Sequence, residues 1–126
     1  MRVDSNIQAL GAIGLSMRVH GNNVANVNTD GFKYSTANYE TGPEGEGVRV
    51  ASIEESTSQG AFIPKDVLVE DAAGQVESTQ EYVEASNTDL SREMVGMMSG
   101  QHAYEANIAA IKTVDEMNGH VLNLLV

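Results

Sequence analysis

Apolar residues recur at helical spacing near both ends of the chain. Val3, Ile7, Leu10, Gly14, Met17, Gly21 and Val24 step by three and four, with Ile13 beside them. That spacing predicts an amphipathic helix with an a/d seam. Asp4 or Ser5 can cap its start, and Ser5 with Gln8 has capping-box spacing. Gly11, Gly14 and Gly21 each cost roughly 1 kcal/mol relative to Ala in a helix interior. This arm is therefore expected to be poorly ordered in a free monomer and helical once packed. Gly14 and Gly21 fall on the seam, where a missing side chain lets another backbone approach. In the second half Leu90, Met94, Met97, Gln101, Tyr104, Ile108 and Ile111 repeat by four and three. The stripe then moves to Ala110, Val114, Met117, Val121 and Leu124, the drift of a straight helix against a seven-residue repeat. Asn87 or Thr88 can cap this helix, with Asp89 near its positive end. The two helices would run roughly 36 Å and roughly 54 Å at 1.5 Å per residue. A helix that long and apolar to its tip is a surface awaiting a neighbour.

Between the arms the pattern changes. Asn residues crowd positions 22–28, and Asp30-Gly31 predicts a turn that ends the first arm. Tyr34 to Pro43 reads as loop. Gly47-Val48-Arg49-Val50-Ala51-Ser52-Ile53 opens with alternation, and Ala61-Phe62-Ile63 and Val67-Leu68-Val69 are two further short β-prone pieces, punctuated by Gly60, Pro64 and Ala73-Gly74. The expected fold is mainly α with a small β insert (α+β). Long N- and C-terminal amphipathic helices pack as a coiled-coil hairpin, with a short β hairpin or strands between them. Three segments make one structural domain: an N-terminal helix and Asn-rich turn over 1–39, an acidic β-rich insert over 40–81, and a C-terminal helix over 82–126.

Composition narrows the function. At 126 residues the chain holds one domain, and six Met with no Trp suit helix seams filled by aliphatics and Met. The net charge is −11, and it is concentrated in the middle, where Glu40 to Glu81 supply ten carboxylates against Arg49 and Lys65. No basic stripe exists to displace the counterions of a duplex, so no nucleic-acid partner is expected. The acidic middle reads as a solvated surface that keeps unassembled copies apart. The absence of Cys excludes disulfides, thiolate metal sites and a Cys nucleophile. Apolar runs are too short for membrane insertion. Met1-Arg2-Val3-Asp4-Ser5-Asn6 lacks the pattern of a cleavable secretion signal.

The residues offer little to catalysis. Asn26-x-Asn28-x-Asp30-Gly31 matches the opening of a calcium loop, but its twelfth position is Ala37 and only one true carboxylate remains. A turn is the better reading. His102-x-x-Glu105 and Glu116-x-x-x-His120 match no zinc or di-iron spacing, and His20 is the third histidine. There is no Gly-x-Ser-x-Gly, and Ser99 reads as a small residue at a close helix crossing. The glycines between Gly42 and Gly47 sit among acids that would repel a phosphate. No catalytic, cofactor-binding or metal site is expected, and an enzyme is not.

Both ends resemble the flagellar axial proteins, in particular the bacterial flagellar basal-body rod family. The first motif is Ala25-Asn26-Val27-Asn28-Thr29-Asp30-Gly31-Phe32-Lys33. The second runs through Ser86-Asn87-Thr88-Asp89-Leu90, Glu93-Met94-Val95, Tyr104-Glu105-Ala106-Asn107, Ile111-Lys112-Thr113 and Asp115-Glu116-Met117. His102 stands where the family usually has Arg. The short middle looks most like the small proximal-rod proteins, and Gly47-Val48-Arg49-Val50 resembles the start of the β insert in their C-type member. The resemblance implies a non-enzymatic structural subunit that joins other rod proteins and itself through terminal helices. It also implies export by the type III apparatus without a cleavable signal, assembly in the periplasm-spanning rod, and transmission of torque. The expected helix interface comprises Ile7, Leu10, Met17 and Val24 against Leu90, Met97, Ile108, Ile111, Val114, Met117, Val121 and Leu124. A helical adaptor or export chaperone with the same fold is the alternative.

Overall fold

Helical periodicity at both ends and β-prone residues between them give the order helix, hairpin, hairpin, helix. The computed structural model describes residues 3–125, so Met1, Arg2 and Val126, at the edges of the first and third expected segments, lie outside the described residues. Helix α1 spans Val3–Ala25, strands β1 to β4 span Ser35–Thr41, Val48–Glu55, Phe62–Glu70 and Val76–Glu84, and helix α2 spans Leu90–Leu124. The architecture is α+β and mainly helical, as expected from the sequence.

The helices pack antiparallel. His20 meets Glu93, Met17 and Ile13 meet Gly100, and Val3 shares a groove with Ile108, Ile111 and Val114. The β1–β2 hairpin covers another side of α1, so α1 lies between α2 and a sheet. Only Ala12, Val19 and Val114 form the buried apolar core among the described residues. Burying a Val side chain contributes about 1.5–3 kcal/mol and an Ala methyl less, so two Val and one Ala make a thin core for two helices of 23 and 35 residues.

Several local expectations change. Tyr34 to Pro43, expected as loop, contains β1, which pairs antiparallel with β2 from Ser35 opposite Glu55 to Thr41 opposite Val48. Phe62 and Ile63 of the first piece and all of Val67–Val69 belong to one strand that runs through Pro64, with Ala61 just before it. Ala85 donates its N–H to Ala61 O at 2.8 Å, so the antiparallel alternation turns the nitrogen at position 64 away from β4, where a missing N–H costs no ladder bond. Strand β4 has no apolar alternation to announce it; Glu77 to Glu81 become a strand because β3 offers a ladder. Asp89, not Asn87 or Thr88, is the N-cap of α2, its Oδ1 accepting from Ser91 N at 3.0 Å and Arg92 N at 3.3 Å. Asp4 and Ser5 lie inside the first turn of α1. Gln8 reaches over Gly42 and Gly47 instead of folding back as a capping box.

Close approach also falls elsewhere than expected. Nothing lies within 4 Å of a Cβ added at Gly14 or Gly21. Gly96 and Gly100 on α2 make the helix crossing, where an added Cβ would sit 2.6 Å from His20 Cε1 and 3.0 Å from Met17 Cγ. Gly60 is tighter still, because its Cβ would lie 1.9 Å from the Ala85 carbonyl oxygen. Gly60→Ala is expected to destabilise the chain by about 1–3 kcal/mol, read as a lower urea midpoint followed by circular dichroism.

Candidate assembly interface

The two terminal motifs, ending at Lys33 and beginning at Ser86, are far apart in sequence, and the fold makes them one joint. After Ala25 the chain leaves α1 through a turn held by Asn26. Its Nδ2 donates to Asn22 O at 2.9 Å, and its Oδ1 accepts from Thr29 Oγ1 at 3.1 Å. Gly31 has φ +70°, a conformation other residues resist, and donates its N–H to Glu84 O at 2.7 Å. Phe32 O accepts from Asn87 N at 3.2 Å, and Asn87 Oδ1 accepts from Tyr34 N at 2.9 Å. The Asn87 amide then donates to Ser58 O at 2.9 Å and Ser56 Oγ at 3.1 Å. Asn87 therefore ties three segments together, a larger task than the helix cap expected of it. Lys33 pairs with Glu84 and donates to Ser58 O at 2.8 Å. Ser86 Oγ accepts from Thr88 N at 3.1 Å, and Arg92 lies 5.9 Å from the centroid of the Tyr34 ring. Asn28 remains exposed.

A second polar cluster sits one turn further into α1. Asn23 is fully buried and Glu93 is 3% exposed. The Asn23 amide donates to Ser35 O at 2.8 Å and Glu93 Oε2 at 3.0 Å, while its Oδ1 accepts from Ser35 N at 2.9 Å. His20 Nδ1 lies 2.6 Å from the same carboxylate oxygen; the carboxylate accepts, so that nitrogen donates. Three elements, α1, β1 and α2, thus share one hydrogen-bonded network. Among the described residues no buried side-chain polar atom lacks a partner. Sequence reasoning did not assign Asn23, His20, Glu84 or Ser58 a role, and gave Glu93 only as part of a motif. The one available signal was the seven-residue spacing of Glu93, Gly100, Asn107 and Val114.

That spacing marks the stripe of α2 that α1 covers: Glu93 and Val114 are buried, and Gly100 and Asn107 are half-buried. Apart from Val114, which belongs to both, it is made of glycine and polar residues and differs from the large apolar stripe expected to be the seam. On α1 the buried positions are Ala12, Val19 and Asn23. Of the expected interface residues, Val114 is buried, Leu10, Met17, Val24, Met97 and Ile111 are half-buried, and Ile7, Leu90, Ile108, Met117, Val121 and Leu124 are exposed. Met94, Tyr104, Glu105 and Ala106 also face outward, with Glu105 accepting from Gln101 Nε2 at 2.9 Å. Asn107 donates to Ala103 O at 2.8 Å within its own helix. His102 and His120 are solvated. Small residues occupy the helix crossing because two backbones and a sheet meet there, which leaves the large side chains at its margins. Among the described residues no cluster of three or more His, Asp or Glu side chains is arranged to hold a metal ion, and no helix is long and apolar enough to cross a membrane.

Two measurements check the joint. Asn23→Leu strands the Ser35 backbone groups and the Glu93 oxygen, so it is expected to cost about 3 kcal/mol, seen in the urea midpoint. The Lys33 ammonium, aided by the Gly60 N–H at 2.7 Å, holds the Glu84 carboxyl below its ordinary value, with burial acting weakly against them. A depressed carboxyl stabilises the fold above the ordinary carboxylate range and loses that contribution as pH falls through its folded value. Stability is expected to decline on acidification through that window, and Glu84→Gln to flatten this part of the pH profile.

Comparison with known proteins follows the same geometry. Residues 79–124 match the family model described as Flagellar basal body rod FlgEFG protein C-terminal, and residues 15–33 match the one described as Flagella basal body rod protein. The two matched stretches contain both halves of the joint. The chain is 30% identical to the flagellar basal-body rod protein FlgC of Escherichia coli O6:H1 over 126 residues, covering 92% of this chain and 90% of that protein. It is 37% identical over 86 residues to FlgC of Borreliella burgdorferi, covering 64% of this chain and 52% of that protein. A shorter match, 45% over 42 residues, links it to the flagellar hook protein FlgE of Escherichia coli K12, of which it spans 10%. A likeness that runs nearly end to end with a rod protein, and only locally with a much longer hook protein, has one reading: the chain belongs to the flagellar basal-body rod protein family, on its FlgC-like side.

Proposed function

We propose that this chain is a structural subunit of the flagellar basal-body rod, built into the axial structure beside itself and other rod proteins through its terminal helices. The observation that carries this reading is the outward face of those helices. Among the described residues three apolar side chains are buried, while Ile7, Leu90, Met94, Ile108, Met117, Val121 and Leu124 are exposed. Cover from neighbouring helices, knob into hole, supplies the burial that the single chain lacks. The last ten residues of α2, roughly 15 Å at helical rise, carry much of this unmet surface, with Leu124 at 87% exposure and Leu125, just past the helix, at 79%. The joint at Asn26–Lys33 and Glu84–Asn87 holds the helices and hairpins at a fixed angle, which is what a part passing torque between neighbours requires. The role is mechanical and not catalytic. Export in an unfolded form by the type III apparatus fits a chain with a thin core and no disulfide to reduce.

Ile108→Asp tests the interface without touching the core, because Ile108 is exposed in the single chain. The variant is expected to keep its circular dichroism spectrum and expression level and to abolish swimming. Gly31→Val, which forces a β-branched residue to φ +70°, is expected to abolish swimming without abolishing expression, by loosening the joint. Tomography of basal bodies from a strain lacking the chain should show a rod that stops short. Normal motility in both variants, or an intact rod in the deletion, would sink the assignment.

A further inference from the structure

Among the described residues the hairpin of β3 and β4 is anchored at its base. Gly31 N–H bonds Glu84 O and Ala85 N–H bonds Ala61 O, while Lys33 pairs with Glu84 and Lys65 with Asp30. Beyond that base nearly every residue of both strands is exposed, Val67 and Val83 being half-buried. A two-stranded ribbon of this kind is marginally stable in water by itself.

Register decides what each face presents. Directly opposed residues share a face, and the pairs Phe62–Glu84, Pro64–Tyr82, Asp66–Gln80, Leu68–Ser78 and Glu70–Val76 alternate with the others. One face therefore displays Phe62, Pro64, Leu68, Val76 and Tyr82, with Leu68 73% and Tyr82 71% exposed. Asp66 and Glu70 stand on the same face among them. Such a stretch of large apolar side chains on an exposed ribbon is a contact surface.

Charge selects the occupant. Phe62–Glu84 holds six carboxylates and one lysine. Lys65 is taken by Asp30, and Glu84 by Lys33. Asp66, Glu70, Asp71, Glu77 and Glu81 have no ion-pair partner among the described residues. A second copy offers no basic rim to meet them. Among its described cations Lys33, Arg49, Lys65 and Lys112 are already paired and Arg92 lies over Tyr34, which leaves one exposed cation, Arg18 on α1, against a whole-chain charge of −11. Like charges opposed across an interface suppress that pairing.

We propose that the Phe62/Leu68/Val76/Tyr82 face docks a protein other than this chain, on an apolar surface bordered by Lys and Arg side chains. Contact between copies is then left to the nearly neutral helices, and the hairpin reads a different neighbour.

Site-specific photocrosslinking in the full-length chain, expressed in flagellated cells, tests this. The photoreactive residue p-benzoylphenylalanine replaces Leu68, with a second version at Val69 on the opposite face. The expected result is a covalent adduct from position 68, weaker from 69, with a protein whose crosslinked segment is apolar and rich in Lys or Arg. Asp66→Lys with Glu70→Lys should reduce the adduct by roughly tenfold or more, with the circular dichroism spectrum of the purified chain unchanged. An adduct with a second copy, a crosslinked segment without basic residues, an adduct indifferent to charge reversal, or none at position 68 would each overturn the proposal. Helix-mediated assembly is scored separately by the Ile108→Asp swimming phenotype, so either reading can fail while the other stands.

Discussion

Everything else in this molecule rests on the side chain of Asn87. It accepts from Tyr34 and donates to Ser56 and Ser58, while its backbone N–H bonds Phe32 O. Those bonds close a loop of some fifty residues at the point where α2 begins. Closing a loop of that length costs chain entropy, which the neighbouring Lys33–Glu84 pair and the Gly31–Glu84 backbone bond help to offset. Once the loop is closed, α1 and α2 leave the joint side by side. The network of Asn23, His20 and Glu93 can then form only with α1 in one rotation and one register.

A polar network at a helix crossing is an unusual way to hold two helices, because a buried carboxylate is costly unless it is fully hydrogen-bonded. Here one oxygen of the Glu93 carboxylate accepts from both His20 and Asn23, and the network specifies alignment in the way a single buried polar residue fixes register in a coiled coil. The large apolar residues are thereby freed from the work of packing the chain onto itself. Ile7, Ile108, Val121 and Leu124 remain available to neighbours, consistent with membership of a family of rod proteins. Charge is divided along the same line. α2 carries four acids and two bases, whereas the exposed β3–β4 hairpin concentrates six carboxylates. Surfaces of different polarity on one small chain keep its contacts from being interchangeable.

The sequence by itself determined the two long helices, the turn at Asp30-Gly31 and the acidic middle, since each is written in local spacing or composition. Periodicity of three and four, an Asn-rich stretch and a glycine after an acid are short-range signals, and short-range physics is enough to decode them. The paired motifs around Gly31 and Asn87 were also legible, as a family resemblance. What the spacing did not reveal was that they touch. Tertiary structure alone decided that Asn87 is a clamp and Asp89 the cap, because both can cap and only the arrival of Tyr34 distinguishes them. It also decided that the polar run Glu77 to Glu81 is a strand, a state conferred by the ladder of β3. Finally, it chose between two overlapping stripes on each helix. Periodicity gives a small stripe at Gly100 and a large one at Ile108 equal standing. The close approach of α1, wedged between α2 and a sheet, admits only the small one and turns the large one outward.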